Sequence, residues 1–153
     1  MRAVIQRVRW ARVQVEGKVV GEIGRGLLVL AAVEKGDGPR EMEFLTKKVA
    51  ELRIFEDEEG RMNLSLMDVG GEVLLVSQFT LAARIKKGRR PSFSKAEEPE
   101  RAEKMLKEVA RRWRQMGIKV EEGVFGAKMQ VSLLNYGPVT IILDRQYGGE
   151  NDR

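Results

Sequence analysis

The hydroxyl of Thr80 is the candidate nucleophile in the most distinctive segment of this sequence, Ser77-Gln78-Phe79-Thr80. A hydroxyl needs a neighbouring base before it can attack a substrate. The sequence has no histidine and no cysteine, and a lysine base would have to be strongly desolvated, which the loop around Lys86 and Lys87 disfavours. We therefore do not expect a catalytic triad. The sequence also lacks a glycine-rich phosphate loop, a dinucleotide fingerprint and a zinc pattern.

Backbone amides offer another route to chemistry at the same place. The apolar run 72–76 predicts a strand that ends near Ser77, so the N–H groups of Gln78, Phe79 and Thr80 can stabilise a developing oxyanion without any titratable side chain. Such a site suits a substrate that is already reactive and brings its own polar groups. Thr80 can act there as nucleophile, position the substrate or shape the pocket, and we favour positioning. The alternative is that this segment only finishes a strand.

A second polar segment, 135–140, interrupts the apolar runs 131–134 and 141–143, and it contains Gly137-Pro138. Proline has no N–H for a sheet ladder, so the segment must break the strand pairing or lie at an edge or bulge. The cis form of an X-Pro bond costs only about 0.5–1 kcal/mol, and glycine lacks a Cβ that would crowd the turn. These residues are therefore compatible with a cis bond. An ordinary tight turn between two strands is the alternative.

Five positive residues lie within seven positions that are interrupted by Gly88 and followed by Pro91. We call residues 84–90 the basic loop; its positive residues are Arg84, Lys86, Lys87, Arg89 and Arg90. The chain carries a net charge of +5, which favours contact with polyanions such as RNA. The basic loop is therefore predicted to bind phosphates beside the Ser77–Thr80 segment, and a merely solvated loop is the alternative.

Elements that would position these segments are visible in the hydrophobic pattern. Alternating residues predict strands over 2–33 with a hairpin at 16–18, and Asp37-Gly38-Pro39 predicts the start of a first helix. A second helix is predicted over 99–116, with Gly117 after its end. Its apolar stripe predicts buried side chains at Ala102, Met105, Leu106, Val109, Ala110, Trp113 and Met116.

The remaining segments complete the predicted domain. Residues 56–60 are acidic but lack the alternating ligand spacing of a calcium loop, so we expect a solvated turn and no metal site. Strand character returns at 119–121 and 129–143. This order of elements predicts a single α+β domain with a largely antiparallel sheet and two main helices packed outside it. Residues 145–153 predict a polar, flexible tail.

Composition sets further bounds. A chain of 153 residues fits one domain, and no apolar stretch reaches the roughly 18 residues of a membrane span. The first residues do not have the layout of a signal peptide, so we expect a cytoplasmic protein that needs no membrane. The absence of cysteine excludes disulfides and cysteine-ligated zinc. We expect no cofactor.

Several motifs together resemble the D-aminoacyl-tRNA deacylase family. They occur in the family's order and cover about 1–144, which we assign as a deacylase-like domain: Met1 to Val8, Gly21 to Val29, Ser77 to Leu81, Arg90 to Phe93, Phe125 to Ala127 with Met129, and Asn135 to Thr140. One residue departs from the pattern, because the family usually has an acidic residue at the position of Tyr136. That difference removes a carboxylate but leaves the adjoining Gly-Pro in place.

The resemblance implies a β-barrel-like fold, a homodimer and an activity. The enzyme would cleave the ester of D-aminoacyl-tRNA, and of mischarged glycyl-tRNA, with the 2′-hydroxyl of the terminal ribose assisting water. In the family, the Gly-Pro of one subunit enters the pocket of the other and excludes L side chains. The resemblance implies that the motif here is Gly137-Pro138, and we expect a cis bond between these two residues. We expect the substrate pocket to include Phe125, Met129 and Asn135, although core packing accounts for the first two equally well. Aminoacyl-tRNA is the expected partner, and DNA is not.

Two other functions remain compatible with the residues. A non-catalytic RNA-binding module would account for the basic loop and the missing bases. A general esterase would use Thr80 as its nucleophile. The RNA-binding module leaves unexplained why the Ser77–Thr80 segment and Gly137-Pro138 occur together.

Overall fold

The sheet is organised around a long strand, β1 (Arg2–Val15), which carries buried residues at alternate positions. A computed structural model describes residues 1–147. The turn after β1 consists of Glu16 and Gly17, whose φ angles of 50° and 77° suit a tight two-residue hairpin. β1 pairs antiparallel with three strands: β2 (Lys18–Ile23), β3 (Gly26–Ala32) and β8 (Gln130–Asp144). β3 pairs parallel with β6 (Glu72–Ser77), which in turn pairs parallel with β7 (Val120–Glu122).

The elements follow one another in this order: β1, β2 (Lys18–Ile23), β3 (Gly26–Ala32), α1 (Pro39–Glu51), β4 (Phe55–Glu56), β5 (Met62–Leu64), α2 (Leu66–Val69), β6 (Glu72–Ser77), a 3-10 helix (Phe79–Ala82), α3 (Pro99–Gln115), β7 (Val120–Glu122) and β8 (Gln130–Asp144). β2 also contacts β6 and β7, so the sheet curves into a nearly closed barrel. None of the helices in residues 1–147 combines the length and the apolar character that a membrane crossing needs.

β3 and β6 are buried on both faces because a core lies on each side of the sheet. Leu27 and Val29 face the core that the helices cover, whereas Leu28 faces the core inside the barrel. β6 alternates in the same way, with Val73 on the helix side and Leu74 inside the barrel. The parallel register of these two strands brings their carboxyl ends together, and this edge carries the Ser77–Thr80 segment.

The two main helices pack outside the barrel, as predicted. α1 begins at Pro39, and the carboxylate of Glu41 accepts a 2.8 Å hydrogen bond from the N–H of Gly38. Trp113 of α3 is fully buried, and its indole N–H donates to the carbonyl of Thr46 in α1 at 3.1 Å. The prediction that Met116 belongs to the core is wrong: it lies beyond the last turn of α3 and is 37% exposed.

The predicted fold class is confirmed: the chain forms one α+β domain with a barrel-like, mostly antiparallel sheet. The acidic segment forms a turn in which the N–H of Arg61 donates to Asp57 and lowers the pKa of that carboxyl. No group of three or more Asp or Glu side chains in residues 1–147 is placed to hold a metal ion. Of the predicted tail, Gln146 and Tyr147 contact the segment around α1, and residues 148–153 lie outside the described residues.

Candidate active site

The Ser77–Thr80 segment lies where β6 ends and the 3-10 helix begins. The N–H of Gln78 donates to the carbonyl of Ala31 in β3 at 2.8 Å, which extends the sheet by one residue. That amide is therefore occupied. The N–H groups of Phe79 and Thr80 open the 3-10 helix, and neither has an acceptor within residues 1–147. The segment thus presents two open donors instead of the three that the sequence predicts.

The side chain of Gln78 determines what the hydroxyl of Thr80 can do. Nε2 of Gln78 donates a hydrogen bond to Oγ1 of Thr80. The hydroxyl is therefore an acceptor in this contact, and its own proton points elsewhere. A hydroxyl that attacks a carbonyl would instead donate its proton to a base. Since Thr80 is exposed and has this amide as its partner, it is placed to donate a hydrogen bond to a substrate.

A cavity of about 300 Å³ opens beside this segment, between β6 and α3. Ser77 and Phe125 both line it, so the structure brings these two predicted site residues together. Leu106, Glu103 and Lys107 of α3 form the opposite wall. The lining of the cavity is thus partly apolar and partly charged, which suits a ligand with a flat ring and polar edges.

Met129 lies elsewhere. Its side chain packs against the core inside the barrel, and a Cβ on Gly123 would come within 2.7 Å of its sulfur. The structure therefore places Met129 behind the cavity, in contact with a glycine that lines it.

Gly137-Pro138 forms a bulge in β8. The register passes from Gln6 opposite Thr140 to Val8 opposite Asn135, so four residues of β8 face a single residue of β1. The predicted interruption of pairing is confirmed, and so is the cis bond between Gly137 and Pro138. Asn135 closes the bulge: its Oδ1 accepts from the N–H of Val139 at 2.7 Å, and its Nδ2 donates to Oγ1 of Thr140 at 3.0 Å.

Arg7 is a residue of this region that the sequence analysis missed. It faces the bulge from β1, is only 4% exposed, and donates from Nε to the carbonyl of Tyr136 at 2.9 Å and from Nη1 to the carbonyl of Ile54 at 2.8 Å. The ring of Tyr136 lies against a second guanidinium, with Arg9 Cζ 4.1 Å from the ring centroid. The sequence contained one signal for Arg7. Ala3, Ile5 and Arg7 occupy successive inward-facing positions of one strand, and a charged residue at such a position needs buried partners.

The Ser77–Thr80 segment and the bulge at Gly137-Pro138 are well separated within one chain. Ser77 pairs with Ala31, which pairs with Ala3, which pairs with Leu143. Three strand spacings therefore separate β6 from β8 along this row of residues. The bulge lies opposite Arg7, four residues farther along β1 than Ala3. Strand spacings of about 4.8 Å and a rise of about 3.3 Å per residue correspond to a separation of roughly 20 Å along the surface of the sheet.

The basic loop projects from the edge that carries the Ser77–Thr80 segment. Arg84 and Ser92 exchange two backbone hydrogen bonds of 2.7 and 2.9 Å, which close the loop at its base. Its five positive residues are all exposed. Gly88, with a φ of +71°, allows the turn. The loop thus presents a cluster of positive charge next to the open amides of Phe79 and Thr80.

A family model described as D-Tyr-tRNA(Tyr) deacylase matches residues 4–144. The chain belongs to this family. It is 61% identical over 145 residues to a D-aminoacyl-tRNA deacylase of Magnetococcus marinus, with 94% of this chain and 96% of the relative covered. It is 54% identical over 144 residues to a D-aminoacyl-tRNA deacylase of Aquifex aeolicus, with 94% and 97% covered. The resemblance drawn from the motifs is confirmed.

Two solved structures share the fold of this family member. One, described as a c-Myc DNA unwinding element binding protein, superposes with a TM-score of 0.88 at 41% identity and covers 94% of this chain and 98% of its own. The other, described as a probable eukaryotic D-amino acid tRNA deacylase, gives a TM-score of 0.79 at 18% identity, with 93% and 97% covered. At that identity the second comparison supports the fold alone.

Proposed function

We propose that this protein is a D-aminoacyl-tRNA deacylase, which hydrolyses the ester between a D-amino acid and the terminal ribose of tRNA. The products are the free D-amino acid and tRNA. Membership of the family and relatives named for this activity support the proposal. The observation that carries it in the structure is the pair of open amides at Phe79 and Thr80, beside a hydroxyl that has an amide and no base as its partner.

The mechanism that suits these groups uses the reactivity of the substrate. Water attacks the ester carbonyl while the N–H groups of Phe79 and Thr80 stabilise the negative charge on the carbonyl oxygen. The hydroxyl of Thr80 positions the ester, and the neighbouring 2′-hydroxyl of the ribose assists water. The tetrahedral intermediate then collapses, the C–O bond to the ribose breaks, and the ribose oxygen takes up a proton. No covalent enzyme intermediate is needed.

Substrate binding in this proposal uses two regions of the same edge. The cavity lined by Ser77 and Phe125 takes the terminal adenosine or the aminoacyl group. The exposed positive residues of the basic loop contact tRNA phosphates. We expect the enzyme to act in the cytoplasm, where aminoacyl-tRNA is used.

Selection for D-amino acids would require a homodimer. Roughly 20 Å of sheet surface separates the Ser77–Thr80 segment from the bulge in one chain, which favours a pocket built from two chains. A second copy would supply Gly137-Pro138 to the pocket of the first, where the backbone leaves no space for an L side chain. Glycine, which has no side chain, would be accepted. The pairing of β8 with β1 alone in the described chain, together with Ile142 at 73% exposure, supports an interface along β8.

DNA binding is a second candidate, because the structure at 41% identity is described as a DNA-binding protein. The basic loop would attract any polyanion, and such binding is sequence-independent and strongly salt-dependent. A DNA duplex is therefore a useful competitor. We expect it to bind weakly and to leave chiral selection unchanged.

One assay distinguishes the candidates. We would measure release of tyrosine from D-Tyr-tRNA, L-Tyr-tRNA and a simple ester. The proposal predicts turnover of D-Tyr-tRNA, weak or no turnover of the L form, and none of the ester. Equal cleavage of all three would indicate a general esterase. Binding of tRNA without any release would indicate an RNA-binding module.

A further inference from the structure

Two phenylalanine rings form an exposed aromatic surface between Thr80 and the basic loop. Phe79 is 56% exposed and Phe93 is 37% exposed. Their ring centroids lie 5.0 Å apart with an interplanar angle of 64°, an edge-to-face contact. Large apolar side chains that remain exposed next to a candidate active site indicate a surface that a ligand covers.

The backbone holds the ring of Phe93 in place. The carbonyl of Phe93 accepts a 3.0 Å hydrogen bond from the N–H of Ala96. The residues that follow are tied to the end of β3, because Lys35 donates to the carbonyl of Lys95 at 2.9 Å and Glu97 donates to that of Val33 at 3.0 Å. On its other side, Ser92 closes the base of the basic loop. The backbone that carries the ring is therefore positioned before any ligand binds, which lowers the entropy cost of binding.

Charge complementarity identifies the kind of ligand. Exposed aromatic rings beside a cluster of positive side chains are typical of surfaces that bind single-stranded nucleic acid, where bases stack on the rings and phosphates contact the charges. A base-paired stem would offer its phosphates but not the faces of its bases. The unpaired 3′ end of tRNA offers both. It also has to pass this surface if its ester lies at Thr80.

We propose that Phe93, supported by Phe79, stacks on the unpaired nucleotide that precedes the terminal adenosine of tRNA. This inference rests on the proposed function and adds the nucleotide that the enzyme recognises next to the ester. Phe79 adjoins Thr80 in sequence, so in this proposal its ring would contact the terminal adenosine. Phe93 contacts the ring of Phe79 edge to face at a centroid distance of 5.0 Å, so a nucleotide next to the terminal one is within reach of its exposed face.

Inhibitors of different length test the proposal on the unaltered protein. Inhibition of D-Tyr-tRNA hydrolysis would be measured with adenosine, the dinucleotide CpA and the trinucleotide CpCpA. We expect the affinity to rise on the order of 10-fold from adenosine to CpA, because one stacked base is added. An equal affinity of adenosine and CpA would overturn the proposal without any variant.

Variants of Phe93 supply the second measurement. Phe93→Leu keeps an apolar side chain but removes the ring, and Phe93→Trp keeps a ring. We expect Phe93→Leu to raise KM for D-Tyr-tRNA on the order of 10-fold with an unchanged kcat, and to leave kcat/KM for D-tyrosyl-adenosine unchanged. Phe93→Trp should retain the parent KM. Because stacking is not ionic, the slope of log affinity against log salt should stay the same in both variants.

The results that would overturn the proposal can be distinguished from one another. Equal losses with D-Tyr-tRNA and D-tyrosyl-adenosine would mean that Phe93 supports the ester pocket, and would overturn the proposal. A change of sedimentation mass in Phe93→Leu would mean that a second copy of the chain covers the ring, with the same consequence. If the parent protein hydrolyses neither substrate, the proposed function fails as well, and that result is separate from any effect of Phe93.

Discussion

At the scale of single residues, the hydrogen bond from Gln78 to Thr80 supports a positioning role for the threonine hydroxyl. Because Nε2 of Gln78 donates to Oγ1 of Thr80, the hydroxyl proton is available for a substrate oxygen. No titratable side chain is needed for this role. The sequence already favours positioning over attack, since it has no histidine. The structure adds the partner of the hydroxyl, which no local pattern in the sequence specifies.

We therefore expect Thr80 not to form a covalent intermediate. Thr80→Val removes the hydroxyl at similar volume, and turnover of D-Tyr-tRNA should fall by no more than about 10²-fold, the lower end of the loss for one transition-state hydrogen-bond donor. Single-turnover kinetics should show no burst in either protein. The parent and a Thr80→Ser variant should carry no added mass after an acid quench. An aminoacyl adduct on Thr80 in mass spectra, with a matching burst, would refute the positioning role.

Gly137 is a second residue whose role can be tested, because a single added Cβ atom would disturb its surroundings. Its φ is +135°, and an added Cβ would lie 2.8 Å from Cγ2 of Val139 and 2.9 Å from Nη2 of Arg7. Gly137→Ala should therefore displace the buried guanidinium and the bulge, lower the free energy of unfolding by about 1–3 kcal/mol and reduce turnover of D-Tyr-tRNA. Chemical denaturation and deacylation kinetics measure the two effects.

Gly60→Ala is the matched control for that substitution. Gly60 also has a positive φ, +77°, but an added Cβ would meet nothing within 4 Å. This variant should lose stability through its backbone alone and keep the parent activity. If Gly137→Ala keeps both the turnover and the D-over-L ratio of the parent, Gly137 has no part in the site.

At the scale of elements, the predictions that depend on neighbouring residues are the ones that the structure confirms. The β1–β2 hairpin, the start of α1 and the extent of α3 follow from alternation, turn residues and helix caps. The parallel pairing of β3 with β6 joins segments more than forty residues apart in sequence, and periodicity carries no information about it. The same limit explains why Arg7 was missed: its acceptors, the carbonyls of Tyr136 and Ile54, come from distant strands and loops.

The basic loop is an element whose role can be tested by salt dependence. Arg89→Ala with Arg90→Ala removes two exposed charges, so affinity for tRNA should fall at low salt. Each lost phosphate contact should also flatten the plot of log affinity against log salt by roughly 0.7–0.9. The D-over-L ratio should not change, because the loop is not expected to touch the amino acid.

A second pair of positive residues controls for net charge. Lys47→Ala with Lys48→Ala removes the same charge from the exposed side of α1. This variant should change the salt dependence less than the loop variant does. Identical slopes for the loop variant and the parent would show that the loop makes no phosphate contact.

At the scale of the whole molecule, the fold separates two segments that the proposed mechanism needs together. The open amides lie at the end of β6, and the bulge lies in β8 on the far side of β1 and β3. The sequence indicates both segments, but their distance follows only from the strand order. Because roughly 20 Å of sheet surface separates them, we propose that a pocket that uses both combines two copies of the chain.

Mixed dimers test this arrangement directly. One protein would carry Gly137→Ala, which damages the bulge, and the other would carry Gln78→Ala with Thr80→Val, which damages the pocket. If the bulge acts on the pocket of the other subunit, a dimer of the two variants contains one site with an intact pocket and an intact bulge. Subunit exchange should then restore up to half of the parent activity per mixed dimer, together with the parent D-over-L ratio. Sedimentation and two affinity tags would verify that mixed dimers form. If the bulge acts within its own chain, each site of the mixed dimer keeps one defect. Activity would then equal the average of the two variants, and the cross-subunit arrangement would be rejected.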